Sequence, residues 1–275
     1  MVSGISASLK HGADMPSAAD TLRQQGWVLA EAVLGDTQRE RLAADLEAAC
    51  AVCRRWQSER GLADGRGSAH HLLPLGASFL DFLRDLPLRR VIAGHFGGPF
   101  ILNSFGGVDN DGAARSYLHR PHRDVRHFTA ELPLMLNVLV MLDAFSAENG
   151  ATLVLPGSHR RETMPDAATF FARARPITGP AGSVLLFDSN LVHAAGENRS
   201  GARRRALTLT FTPPFIKPQI DHVRQLGDAA VSGLDDATKQ VLGYFSRIPA
   251  NHDEWYRPKD ERFYREDAPA PERAP

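Results

Sequence analysis

Nine residues, His119-Arg120-Pro121-His122-Arg123-Asp124-Val125-Arg126-His127, gather three histidines, three arginines and one aspartate. Within them His122 and Asp124 form a His-x-Asp. In an extended segment residues i and i+2 face the same way, so this imidazole and carboxylate converge. Two histidines and one carboxylate on one face of an ion make the facial triad of non-haem Fe(II) oxygenases, which leaves positions open for a co-substrate and O2. His-x-Asp arises about once by chance in a chain rich in both residues, so its companions must carry the case. The third ligand is assigned to His193, and a cation suited to a carboxylate, Arg204, follows eleven residues later.

The elements that must position these residues are strands. Gly182-Ser183-Val184-Leu185-Leu186-Phe187-Asp188 reads as a turn and a buried strand, and Leu191-Val192-His193 follows directly. Ala194 to Gly201 is turn-rich, and Arg203 to Phe211 alternates with period two. Leu207, Leu209 and Phe211 share one face; Arg204, Ala206, Thr208 and Thr210 share the other, whose small residues leave room for a ligand. Arg203 and Arg205 point away from Arg204 and are assigned to solvated surface. Leu132 to Leu142 is apolar on both faces, as in a strand covered on both sides, and is interrupted by Asn137.

The order and spacing of His122-x-Asp124, Glu148-Asn149-Gly150-Ala151-Thr152, Pro156-Gly157-Ser158-His159, His193 and Arg204 resemble the phytanoyl-CoA dioxygenase-like Fe(II)/2-oxoglutarate oxygenases. The likeness runs from about Gly26 to the tail. It implies a double-stranded β-helix (jelly roll, cupin-like), with His122, Asp124 and His193 as iron ligands and Arg204 pairing the distal carboxylate of 2-oxoglutarate. It further implies hydroxylation of a small molecule by O2, with 2-oxoglutarate converted to succinate and CO2. Ala195 stands where some members have a serine, and Arg120 where some have a glutamine. Thr152 is either a co-substrate contact or a plain strand former. The amide of Asn137 either holds core backbone groups or touches the co-substrate. Arg120 shares the face of His122 if the segment is extended and is the remaining candidate for co-substrate binding.

Before these strands the chain reads as helical. Ser17 to Asp20 opens a short helix ended by Gly26, with a strand at Trp27 to Ala30. Thr37-x-x-Glu40 reads as a capping box for an amphipathic helix that carries Leu42, Leu46, Ala49, Cys50 and Cys53 and ends near Trp56. A loop is expected from Arg54 to Ser68, then helices around Phe79, Phe82 and Leu83 and from Leu88 to Phe96; strands begin after Pro99. Mainly β structure with flanking helices follows, as one domain of two antiparallel sheets. Its parts are a helical region at about 15–96, a jelly-roll core at about 97–215, a covering segment at 216–265 and a disordered tail at 266–275. Tyr244, Phe245, Trp255, Tyr256, Phe263 and Tyr264 are expected to fold back over the body.

Lysine and arginine total 32, equal to aspartate and glutamate, so nothing draws the chain to phosphate backbones or anionic lipid. Nucleic acid and membrane are excluded as expected partners, leaving a small-molecule substrate and a monomer or homodimer. Met1 to Ala19 lacks an apolar core and no long apolar run occurs, which makes a cytoplasmic location the default. The two cysteines, Cys50 and Cys53, share a helix face and read as structural. His159 reads as structural, and His70, His71, His119 and His127 as loop residues, with one of the first pair able to reach a pocket mouth. Arg115, Arg120, Arg123 and Arg126 hint at an anionic substrate or carboxylate. A cupin-type site lacks its His-x-His here, and a halogenase would have a small residue at Asp124. The remaining alternatives are a catalytically silent binding protein, and desaturation or cyclisation in place of hydroxylation.

Overall fold

Strand alternation decides which residues meet, and the computed structural model describes it for residues 8–9, 15–62, 67–110, 119–125 and 127–263. The first part of the chain carries β1 (Ser8–Leu9), α1 (Met15–Gln25), β2 (Trp27–Ala30), α2 (Asp36–Glu59), β3 (Ser68–His70), α3 (Ala77–Arg84) and α4 (Arg89–Phe96). Then come β4 (Ile101–Asn110), β5 (Leu136–Met141), β6 (Leu153–Val154), α5 (Ala167–Arg173), β7 (Arg175–Pro176), β8 (Val184–Asp188), β9 (His193–Ala194) and β10 (Arg204–Thr212). Short helices α6 (His222–Leu226), α7 (Asp228–Ser232), α8 (Asp236–Val241) and α9 (His252–Trp255) follow. Tyr264 and the expected tail at 266–275 lie outside the described residues, as do Arg115 and Arg126.

The larger sheet has seven strands in the order β1-β2-β8-β5-β10-β4-β3, and the smaller has three, β7-β6-β9. Among the described residues only β1 and β2 pair in parallel. This is the antiparallel jelly roll with flanking helices expected from the family resemblance and from the helix-then-strand order of the chain. In β10, Leu207, Leu209 and Phe211 join Phe105, Val138, Val140 and Leu186 in a core with Leu42, Leu46, Phe79 and Phe82 of the helices. The opposite face of the same sheet places Leu139, Met141, Leu185, Phe187 and Ala206 against Phe145, Val154, Ile177 and Leu191. All six residues of β5 are buried, because one face meets helices and the other meets the second sheet. Each fully buried large apolar side chain contributes about 1.5–3 kcal/mol.

Several boundaries differ from the sequence reading, for physical reasons. Thr37 does not cap α2: the helix starts at Asp36 behind Gly35 and has no side-chain cap bond. It runs on to Glu59, where Arg55 and Glu59 approach at 3.8 Å one turn apart, so the loop begins later than Arg54. The strand expected from Leu132 starts only at Leu136; Pro133 has no N–H for a ladder. Thr152 precedes β6, and Leu155 continues past it through an N–H to Val192 O at 2.9 Å. Arg203 is exposed, as expected, and Arg205 is half-buried, but both are also ion-paired. Arg203 pairs with Asp109 at 2.6 Å, and Arg205 with Asp143 at 2.8 Å. Phe245 is buried, whereas Trp255 and Tyr256 are exposed, so the C-terminal aromatics do not all fold inward. Among the described residues no helix is long and apolar enough to cross a membrane.

Candidate functional site

His193 belongs to β9, and His122 extends that sheet by a single bridge. The two residues exchange both backbone hydrogen bonds, His122 N–H to His193 O and His193 N–H to His122 O, each at 3.0 Å. This antiparallel pair puts both rings on one face, with centroids 4.3 Å apart. Asp124 arrives on that face two residues after His122, and its N–H donates to Ser189 O at 3.2 Å. The carboxylate then lies 3.6 Å from His122 Nε2 and 3.5 Å from His193 Nε2. Ligand atoms of all three lie within 4.8 Å of one another, close enough for one ion.

Both imidazoles are oriented by the backbone. His122 Nδ1 lies 2.8 Å from Arg120 O, and His193 Nδ1 lies 2.9 Å from Leu191 O. A carbonyl only accepts, so each Nδ1 carries the hydrogen and each Nε2 keeps a lone pair for a metal. Burial pushes the His193 imidazole below its ordinary value, an effect Asp124 opposes and His122 reinforces. A neutral imidazole is the ligand form. The donor set, two imidazole nitrogens and one carboxylate, suits Fe(II).

A cavity of about 320 Å³ opens from the triad along the inner face of the larger sheet. Arg204 lines it and is only 3% exposed. Its guanidinium stacks over Phe145, 4.5 Å from the ring centroid, and its buried Nε has no hydrogen-bond partner. Burial pushes this group down to about 10, with Asp143 opposing, so it remains cationic at neutral pH. A buried cation with an unused Nε–H, lining the same cavity as the triad, fits a carboxylate ligand. Thr152 and Asn137 also line the cavity, both buried. The Nδ2 of Asn137 has no partner, so this amide does not hold core backbone groups through that nitrogen.

Arg120 departs from the expectation. Its side chain is exposed and does not line the cavity; its carbonyl, which orients His122, is the part that reaches the site. Residues 119 and 120 sit in a turn, not an extended segment, so the Arg120 side chain does not share the face of His122. His159 is buried with Nε2 3.1 Å from Arg23 O, away from the cavity. His70 and His71 both line the cavity, and His71 holds a left-handed φ of 57°. His119 and His127 do not line it. Sequence reasoning missed Phe145, which comes from a loop without periodicity. It also missed Ser104, which faces Thr210 across the β4–β10 ladder with 2.7 Å between hydroxyls. Period-two alternation in β4 was the available signal for Ser104.

A family model described as phytanoyl-CoA dioxygenase (PhyH) matches residues 22–206, a span that holds all three triad residues and Arg204. The uncharacterized protein Rv1501 of Mycobacterium tuberculosis is 33% identical over 274 residues, covering 95% of this chain and 98% of that protein. Dioxygenase cdmA of Talaromyces verruculosus is 34% identical over 125 residues, which is 44% of this chain and 40% of the fungal protein. Among solved structures, AviO1 from Streptomyces viridochromogenes Tue57 aligns with a TM-score of 0.55 at 24% identity, covering 76% of this chain and 99% of that one. EvdMO1 aligns with a TM-score of 0.57 at 23% identity, covering 74% of this chain and half, 50%, of that one. At these identities the two structures speak for the fold alone.

Proposed function

The chain belongs to the phytanoyl-CoA dioxygenase family, and from that premise we propose that it is an Fe(II)- and 2-oxoglutarate-dependent dioxygenase that hydroxylates a small molecule. The observation that carries this reading is one cavity lined both by a His-Asp-His cluster and by a buried arginine with an unused donor. Iron(II) in such a cluster supplies O2 activation coupled to the conversion of 2-oxoglutarate to succinate and CO2, so that one oxygen atom enters a substrate C–H bond.

The chain's own residues then have limited tasks. His122 and His193 offer Nε2, and Asp124 a carboxylate oxygen, on one side of an ion, which leaves the cavity side open. Arg204 holds the distal carboxylate of 2-oxoglutarate and so fixes its reach toward the triad. Thr152 and Asn137 line the same cavity and complete the polar contacts of the co-substrate. Met135, Leu139 and Phe187 supply apolar wall that keeps water from the reacting C–H bond. Asp124 takes the position a halide would need, which favours hydroxylation over halogenation.

The test is anaerobic addition of Fe(II) and 2-oxoglutarate, read by the weak visible absorption of their chelate, then substrate-dependent succinate release on admitting O2. Asp124→Ala is expected to abolish both signals. Full activity in that variant, or turnover of the wild type without 2-oxoglutarate, refutes the reading.

A further inference from the structure

Between the two ligands of the metal loop stands a side chain that points the other way. Arg123 Nε donates to Asn190 O at 2.7 Å, Nη1 to Glu162 O at 2.7 Å, and Nη2 to Ser158 O at 3.1 Å and to Arg161 O. A guanidinium presents five N–H bonds in one plane, and here four backbone oxygens from two other segments receive them. Both segments govern His193. Asn190 lies in the turn that delivers it, and Ser158 Oγ accepts the N–H of Val192, its immediate neighbour, at 2.8 Å. Phe128 covers the guanidinium 5.2 Å from its ring centroid. One planar cation is thereby bonded to the chain on the His193 side while its own backbone carries His122 and Asp124.

We infer that Arg123 is a positioning residue for the metal ligands. It holds segment 122–124 against segment 190–193 from behind, so that the two imidazoles and the carboxylate stand at binding separation through the chain's own bonds. The inference rests on the metal reading of His122, Asp124 and His193. Lysine would keep the charge but donates from a single nitrogen, and it cannot reach four oxygens spread over two segments. Glutamine keeps two donors and loses the charge.

Mn(II), a redox-quiet probe, is titrated calorimetrically into the metal-free full chain, with thermal unfolding followed in parallel. Wild type, Arg123→Lys, Arg123→Gln, His193→Ala and Arg205→Lys are compared. The last removes a bidentate arginine pair with Asp143 that touches neither segment. Arg205→Lys is expected to bind as wild type does, and both Arg123 variants to bind about 10–100-fold more weakly while still unfolding cooperatively without metal. Wild-type affinity in the Arg123 variants overturns the inference. So does loss of cooperative unfolding in both, which would assign this arginine to the fold at large. If wild type binds no Mn(II), or His193→Ala binds it equally well, the metal reading itself has failed, and that result is distinct from either outcome for Arg123.

Discussion

Replacing Arg204 by lysine isolates one contact whose surroundings are known. The guanidinium is 3% exposed, lies over Phe145 and has a buried Nε without a partner. Lysine keeps the charge and part of the cation–π contact, but it meets a carboxylate as a point and forfeits the second parallel bond. A hydrogen bond to a charged group contributes about 1.5–3 kcal/mol, which corresponds to about 10- to 150-fold in affinity. Steady-state succinate release, measured against 2-oxoglutarate concentration, should therefore show KM raised by about that factor. At saturating co-substrate kcat should change far less, because the lost contact is made equally in ground and transition states. Arg203→Lys is the matched control. Arg203 sits on the opposite face and pairs with Asp109 and Glu47, so KM should stay at its wild-type value. An unchanged KM in Arg204→Lys, or the reversed pattern between the two variants, refutes the assignment of Arg204 to the co-substrate.

Two further expectations concern stability. Burial pushes the His222 imidazole down to about 4, so it is neutral in the fold but protonates below its ordinary value near 6.5 once unfolded. The stability it allows is present above about pH 6.5 and is lost as pH falls toward 4, amounting to about 2 kcal/mol between pH 7 and pH 5; urea unfolding at both pH values should show His222→Phe spared that loss, and equal losses would count against it. Gly26 has a φ of +83°, and a Cβ there would stand 2.4 Å from His159 Nδ1. Gly26→Ala should cost about 2 kcal/mol or more, and Gly97→Ala, at φ +69° with open space, about 1 kcal/mol; equal shifts in the unfolding midpoint would show that the contact with His159 is immaterial.

What could be read from the sequence depended on periodicity. Residues 204–211 announce both faces of β10, and the unbroken apolar run around Asn137 announces a strand covered on both sides. His122, Asp124 and His193 stand together because the i, i+2 rule holds from His122 onward. It fails two residues earlier, where a turn sends the Arg120 side chain into solvent. Alternation also aimed Arg203 and Arg205 away from the cavity without naming their partners. Asp109 and Asp143 lie 94 and 62 residues back along the chain, and no local pattern links them. Arg123, read from the sequence as a hint of an anionic substrate or carboxylate, instead donates to four backbone carbonyls and does not line the cavity, because those partners are fixed only by tertiary folding. Counting aromatics gave no direction either, since Phe245 is buried while Trp255 and Tyr256 face water.

Because the larger sheet has helices on one face and the cavity on the other, consecutive residues of a single strand answer to different pressures. In β10, Leu207, Leu209 and Phe211 sit in the helix-side core, where a truncation opens a void and lowers stability by several kcal/mol. Thr208 and Thr210 border the cavity, beside Ser104 and Asn137 of the adjoining strands. Exchanges at Thr208, Thr210 and Ser104, which carry no assigned co-substrate contact, alter the shape and hydrogen-bonding character of the chamber and leave the helix-side packing untouched. A lineage carrying this scaffold can therefore drift toward new substrates one alternate residue at a time, without first accumulating spare stability to survive the change.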